Sequence, residues 1–341
     1  MKVAISSRPY DGPWGGGNRF IGALSGALIQ AGHIVRHGLH DNDIDIILII
    51  DPRRHAPNAC FGAGEIIRYL AFRNRRAIVV HRVNECDERK NEAFINHKLV
   101  RANYVADATV FVAEWLIGLP IWRENLRSPW FVIRNGSDRS IFNSDGFAPW
   151  DGKRPLKLVT HHWGYHPNKG FDVYAALDRM LGEEQWRDRL RFTYVGQLPR
   201  GFSFINASYV SPLDGTVLAA ELCSHHAYLT ASINEPGGNH QNEGALCGLP
   251  LVYRSSGCMP EYCKGFGIEF SGVDDLCRAL QQLMATYPDL VERMAQYPWT
   301  AERMTREWID LFEKLLRGRE EIIAARRLWR SPMKAMINQV L

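Results

Sequence analysis

Glu235-Pro236-Gly237-Gly238-Asn239-His240-Gln241-Asn242-Glu243, with Cys247-Gly248-Leu249-Pro250 close behind, decides the reading of this chain. Two acids stand eight residues apart across a glycine-bearing turn and an apparent helix start. Glycine leaves backbone N–H groups accessible, and a helix N-terminus favours anions. One acid falls before the turn and one on the helix. A diphosphate could lie on the turn, with a carboxylate reaching hydroxyls at each side. A spaced acid pair alone would equally describe a loop between a buried strand and a surface helix. The flanks narrow the choice. Ala227-Tyr228-Leu229-Thr230-Ala231-Ser232 reads as a short apolar strand before the pair. Leu249-Pro250-Leu251-Val252-Tyr253 reads as another after it, followed by Ser255-Ser256-Gly257 and Pro260-Glu261.

This strand–loop–helix–strand pattern resembles the C-terminal-domain signature of the retaining GT-B glycosyltransferases of family 4. Ser232, Glu235, Glu243, Ala245, Gly248, Pro250, Val252, Gly257, Pro260 and Glu261 fall on matching positions. The resemblance implies an α/β protein of the GT-B plan, two Rossmann-like α/β/α domains facing a central cleft. It implies an acceptor-side domain over residues 1–148 and a nucleotide-sugar donor domain over 149–298. C-terminal helices over 299–341 complete the plan, the first crossing back toward the N-terminal domain.

The rest of the chain agrees with two α/β halves. At 341 residues it is long for one core. Apolar residues make up 46% and charged residues 23%, the composition of an ordinary globular protein. A net charge of +4 does not argue for nucleic acid; it suits an anionic substrate or membrane surface. The seven cysteines are scattered without a zinc-like spacing, so free thiols in a reducing cytosol are expected. Met1-Lys2-Val3-Ala4-Ile5 reads as a first strand rather than a signal peptide, and no apolar run is long enough to span a bilayer. Strands are predicted at 2–6, 34–37, 44–50, 77–81, 108–112 and 131–134, and again at 156–161, 191–195, 207–210, 227–230, 251–254 and 268–270. Helical spacing predicts a buried stripe of Phe20, Ile21, Leu24, Leu28 and Ile29 over 18–31 and another helix over 299–316. Asp214 can cap a helix running to about His226. A Pro/Gly/Trp stretch at 147–155 marks the boundary.

Pro13-Trp14-Gly15-Gly16-Gly17-Asn18 follows the first strand and opens the first helix. It is not the dinucleotide fingerprint, since Phe20 stands where that motif wants a glycine. In the family this loop borders the donor phosphates. His161-His162-Trp163-Gly164-Tyr165-His166-Pro167-Asn168-Lys169-Gly170 follows the first strand of the second half. There the family carries Arg and Lys, five residues apart, against the donor diphosphate. Lys169-Gly170 matches, but Gly164 takes the place of the arginine, and His161, His162 or Arg200 could substitute. Asn135-Gly136-Ser137-Asp138 reads as a structural turn. Near the strand around Ile78–His81, the family places a residue close to the reacting sugar, and either His81 or Asn84 falls there. Arg68, Arg73, Arg75 and Arg76, and Arg326-Arg327-Leu328-Trp329-Arg330 with Met333 and Lys334, are basic segments. Each could touch an anionic membrane or be a solvated face of packed helix.

What the resemblance implies is a metal-independent enzyme whose co-substrate is a nucleoside-diphosphate sugar, with no further cofactor and a glycan or lipid-linked acceptor. It would work in the cytoplasm or at the inner face of a membrane, in polysaccharide or glycolipid assembly. Glu235 and Lys169, with His81 or Asn84, carry the catalytic roles. Gly15, Gly16, Gly17, His162, Gly237, Gly238, Asn239, His240 and Glu243 hold the donor. Two other readings keep the fold: a non-catalytic nucleotide-sugar-binding subunit, motivated by Gly164, and a nucleotide-sugar epimerase.

Overall fold

The structure is a computed structural model, and it describes residues 1–9, 16–51, 58–326 and 328–330. Among these residues the chain forms two compact units. The first comprises Met1–Asp87, Asn91–Arg134 and the segment from Ala301 onward; the second comprises Glu88–Lys90 and Asn135–Thr300.

Each unit is built on a six-stranded sheet in which every neighbouring pair is parallel. The first sheet holds β1 (Lys2–Ile5), β2 (Ile34–Arg36), β3 (Ile46–Ile49), β4 (Ile78–Val83), β5 (Ala108–Phe111) and β6 (Trp130–Val132), in the order β2-β1-β3-β4-β5-β6. The second holds β7 (Leu156–His162), β8 (Leu190–Gly196), β9 (Ser208–Val210), β10 (Ala227–Thr230), β11 (Leu251–Arg254) and β12 (Gly267–Phe270), in the order β12-β11-β10-β7-β8-β9. Parallel sheets are covered on both faces, so their strands read as near-continuous apolar runs. The order of the second sheet is that of a doubly wound fold, with its reversal between β7 and β10. Such sheets bind ligands beyond the carboxyl ends of the strands at that reversal.

Most strand ends fall within two residues of expectation. β4 differs in a way that matters, running on to Val83 because Arg82 and Val83 pair with Val110 and Phe111 of β5. His81 and Arg82 are therefore interior strand residues, not the strand end. β3 starts at Ile46, since the Asp45 carboxylate accepts the Lys2 backbone N–H at 2.8 Å.

In the first unit the Gly16–Gln30 helix buries Phe20, Ile21, Leu24 and Leu28, while Ile29 turns outward at 62% exposed. The Ala301–Arg317 helix packs against it through Met304, Trp308, Leu311, Phe312 and Leu315, with the Phe20 and Trp308 rings edge to face at 5.5 Å. The Ala63–Phe72 helix belongs to a separate apolar cluster with Ile47, Ile49 and Val79, giving the third layer. In the second unit the Phe171–Leu181 and Val273–Ala285 helices share one core with the sheet. The His240–Leu246 helix meets β10 where Gly244 lies against the Tyr228 ring. The Gly215–Cys223 helix has Asp214 at its N-cap position and stops short of His226, whose N–H instead joins Lys157 O beside the sheet.

The passage from first unit to second falls at Arg134/Asn135, ahead of the boundary expected at 148/149. The reason is bonding of residues 135–147 to the second unit. Asn135 Nδ2 donates to Gly237 O at 2.6 Å, Cys223 Sγ reaches Asn143 O at 3.3 Å, and the Phe147 ring lies against Gly248. Trp299, counted with the last helix from its spacing, instead donates from Nε1 to Tyr262 O at 3.0 Å in the second unit.

The two basic segments meet on the first unit. Arg326 is buried, its guanidinium paired with Asp107 at 2.7 and 2.8 Å and bonded to the carbonyls of Arg75 and Ala77. Arg75 lies over the Trp329 ring at 5.3 Å, and Arg76 pairs with Glu320. Arg327, Met333 and Lys334 lie outside the described residues. Among the described residues no helix is long and apolar enough to cross a membrane.

Candidate active site

The candidate site lies at the strand reversal of the second unit and is assembled by backbone before any side chain enters. β7 ends in His161 and His162, and β10 ends at Thr230. The loop after β7 is fastened to the loop after β10 by Ile233 N–H donating to Asn168 O at 2.7 Å. Gly170 makes that approach feasible. Its φ is +95°, and a Cβ there would lie 2.4 Å from Ala231 Cβ. On the other side Cys258 N–H donates to Glu235 O at 2.9 Å, and Asn234 N–H to Ser256 Oγ at 3.0 Å. Gly257, at φ +58°, leaves room for this, because a Cβ would fall 2.5 Å from Glu235 N. The stretch from Ile233 to Glu235 is thus held between two neighbouring loops.

That grip sets Glu235 against Lys169. Nζ donates to Oε2 at 2.6 Å, with both side chains under one-tenth exposed. Arg89, in the Glu88–Lys90 segment of the same unit, lies 3.6 Å from Oε1. Burial works to raise the Glu235 carboxyl, but the charges of Lys169 and Arg89 outweigh it and hold the group well below the usual carboxylate range. Glu235 is therefore a fixed carboxylate: a hydrogen-bond acceptor for hydroxyls rather than a proton donor.

Glu243 forms the second anchor. Its Oε2 is 2.7 Å from His161 Nε2, with both groups buried, and His161 Nδ1 in turn lies 3.1 Å from the Tyr228 hydroxyl. His162 Nε2 meets the Tyr174 hydroxyl at 2.7 Å, and His240 Nε2 meets Thr230 Oγ1 at 2.8 Å. The His162 and His240 rings are 4.8 Å apart. Burial first, and then the His240 charge for His162 and the Lys169 charge for His240, push both rings well below the ordinary histidine value. At neutral pH they are uncharged groups offering one donor and one acceptor each.

The glycine turn is held from beneath. Gly237 O accepts from Asn135 Nδ2, Gly238 O accepts from Gln241 Nε2 at 2.7 Å, and Asn239 O faces Ser137 Oγ at 3.5 Å. Asn242 Nδ2 returns to Asn135 O at 3.2 Å and Tyr297 donates to Asn242 Oδ1 at 2.7 Å. Asn135 and Ser137 therefore brace the turn itself, a role that a reading of Asn-Gly-Ser-Asp as a local turn does not reveal.

The second unit thus brings together Glu235, Lys169, His162, Gly237, Gly238, Asn239, His240 and Glu243. Arg200, weighed as a substitute for the missing arginine, is exposed, and His161 is committed to Glu243. The residues expected from the first half lie in the first unit. His81 lies inside β4 rather than at its end. It is fully buried in β4, with Asn103 Nδ2 donating to its Nδ1 at 3.1 Å and burial lowering its pKa to about 3. Asn84 is half-buried just beyond β4; Gly16 and Gly17 open the first helix, and Gly15 lies outside the described residues. Sequence reasoning gave Asn135 only a turn role and missed Arg89, Tyr174 and Thr230, whose partners lie elsewhere in the chain. Among the described residues no group of three or more His, Cys, Asp or Glu is arranged to hold a metal ion.

No protein-family model and no curated protein matches the sequence. Solved structures do match the fold. Sucrose-phosphate synthase from Thermosynechococcus elongatus superposes with a TM-score of 0.65 at 13% identity, over 93% of this chain and 100% of that one. AviGT4, a glycosyltransferase involved in avilamycin A biosynthesis, gives 0.62 at 17% identity, over 93% and 98%. Anabaena HepE in complex with UDP-glucose gives 0.64 at 12% identity, over 92% and 100%. Together with two Rossmann-like α/β/α units, these likenesses make the chain a GT-B-fold protein.

Proposed function

We propose that this chain is a retaining glycosyltransferase, moving a sugar from a nucleoside-diphosphate donor to a hydroxyl acceptor in glycoconjugate assembly. The observation that carries the reading is the pair of buried carboxylates at the strand reversal, Glu235 on Lys169 and Glu243 on His161. Two fixed acceptors flanking a glycine turn, with Lys169 beside it, suit a polyhydroxy anion with sugar at one end and ribose at the other. Several superposing structures were solved with UDP or UDP-sugars bound, which supports a nucleotide-sugar ligand.

In this reading Glu235 accepts hydrogen bonds from the donor sugar's hydroxyls, and Glu243 from the ribose. Segment 236–240 lies along the sugar and phosphates, with His162 and His240 as neutral partners. Lys169 meets the charge that builds on the departing diphosphate as the bond from the anomeric carbon to its phosphate oxygen breaks. The acceptor oxygen attacks the same face, its proton passing to the leaving phosphate, so configuration is retained. His81 or Asn84, and Gly15–Gly17, keep the roles that the family resemblance implies. The acceptor is a glycan or a lipid-linked glycan, met in the cytoplasm or at a membrane's inner face.

The test is thermal stabilisation of the protein by UDP-, GDP-, ADP- and dTDP-sugars, with and without EDTA. A saturable, EDTA-insensitive shift with one nucleotide family, accompanied by slow donor hydrolysis, is the expected result. A shift without hydrolysis or transfer to any acceptor points to the non-catalytic binding subunit, and no shift at all removes the donor reading.

A further inference from the structure

The site contains one histidine that nothing else in it uses. A Cβ built on Gly164 would lie 3.4 Å from His166 Cδ2 and 3.6 Å from Lys169 Cε. The His166 ring and the Lys169 stem thus border the space into which a side chain at 164 would project. His161, His162 and His240 each place a ring nitrogen on a partner: Glu243, Tyr174 and Thr230. Both ring nitrogens of His166 are buried and have no hydrogen-bond partner among the described residues. Imidazole nitrogens buried in this way have lost their water with nothing in return.

The charges around that ring favour an anion. Lys169 faces it from its own loop, Arg89 and Lys90 from the Glu88–Lys90 segment, and Glu235 from the loop after β10. Three cations stand against one carboxylate, and that carboxylate already carries Lys169 at 2.6 Å. A donor group without a partner, in a net positive, partly buried corner next to the lysine assigned to the leaving group, is built for phosphate oxygen.

We infer that His166 is a diphosphate-binding residue, donating a ring N–H to the donor's phosphates beside Lys169 from the space left by Gly164. The inference rests on the donor-site reading above and adds to it a property that an arginine would not confer. Burial and the nearby Lys169 and Arg89 charges hold the unliganded ring at about 4, so it is neutral at physiological pH. A phosphate beside it offsets those cations and raises the ring's pKa in the complex. Binding then takes up a proton, and affinity rises as pH falls from the bound value toward the free one. Arginine stays charged throughout and has no such dependence.

The experiment is calorimetric titration of wild type and His166→Gln with inorganic pyrophosphate, with UDP, GDP, ADP and dTDP, and with the corresponding nucleosides. The range runs from about pH 5.5 to about pH 8.5, across ordinary histidine titration. Comparing the two proteins at each pH removes the ligand's own titration. The expected result is that His166→Gln binds diphosphates about tenfold more weakly near the acid end, the loss of one charge-assisted hydrogen bond. The variant should also lose the excess pH dependence while binding nucleosides as before. Unchanged diphosphate affinity and pH slope in His166→Gln overturns the inference and leaves the donor reading standing. If wild type takes pyrophosphate but no nucleoside diphosphate, the donor reading falls, and the same comparison on pyrophosphate still decides for or against His166. Binding of neither overturns both. Should His166→Gln not fold, proton uptake by wild type decides, read from the dependence of the binding heat on buffer ionisation. Uptake beyond the ligand's own supports the inference, and none beyond it refutes it.

Discussion

Replacing Lys169 by Met separates what the Lys169–Glu235 pair does for the fold from what it does for chemistry. Met keeps the length of the lysine stem and removes the charge 2.6 Å from a carboxylate that is 5% exposed. Breaking a buried pair by removing one partner costs about 3–5 kcal/mol, because the other charge stays behind uncompensated. Arg89 remains 3.6 Å away on the other oxygen, so the loss should sit at the low end, about 3 kcal/mol near neutral pH. The pH dependence has a defined sign. In wild type the Glu235 carboxyl is held below its unfolded value, so it contributes stability above the unfolded pKa of about 4.3 that is lost as pH falls through the folded value. In Lys169→Met burial prevails, the carboxyl rises above its unfolded value, and the deficit shrinks as the medium is acidified. Lys169→Met/Glu235→Gln, with neither charge, should recover most of the stability at neutral pH. Both variants should still lose transfer by about two to three orders of magnitude, the scale of removing one charge-stabilising group. Urea denaturation at several pH values, alongside transfer assays, measures all of this. If Lys169→Met is as stable as wild type, or the double variant is no more stable than the single one, the assignment of a buried ion pair is wrong. Near-wild-type transfer by either would refute the catalytic role.

Other perturbations follow from the same geometry. Glu243→Gln should weaken nucleoside binding about tenfold while leaving pyrophosphate binding intact, which titration with each ligand would reveal. Gly170→Ala puts a methyl 2.4 Å from Ala231 Cβ at φ +95° and should destabilise the second unit by at least about 2 kcal/mol, seen as a lowered urea midpoint. Arg326→Met leaves Asp107 buried without its bidentate partner and should cost about 3–5 kcal/mol in the first unit, a loss that hydrogen exchange in β4 and β5 would localise. His81 is held neutral by burial, with its pKa lowered from 6.5 to about 3. It should therefore make stability fall as pH drops below 6.5, at up to about 1.4 kcal/mol per pH unit. His81→Gln should flatten that acid limb, and an unchanged limb would count against the buried placement.

Where a sequence signal was local, it was legible. Each predicted strand has a counterpart, since strands buried on both faces are uninterrupted apolar runs bounded by polar turns. The stripe of Phe20, Ile21, Leu24 and Leu28 marked the first helix; Ile29 was misassigned because adjacent apolar residues cannot all face inward at 100° per residue. The end of β4 was placed two residues early because it is set by pairing with β5, a partner that lies far along the chain. The boundary at 147–155 was read from composition, whereas residues 135–147 join the second unit through contacts to Gly237, Gly248 and Cys223.

The sequence by itself determined the two α/β halves, the Glu235–Glu243 spacing and the Lys169-Gly170 pair. These depend on short-range periodicity and on residues that must stand at fixed offsets. Only the tertiary structure decided what each charged or titratable group faces. It set Lys169 on Glu235 across 66 residues and His161 on Glu243 across 82, and left the His166 nitrogens without a partner among the described residues. Partners so distant in the chain are chosen by strand order and loop closure. Charge state follows from the partner and the burial rather than from residue type.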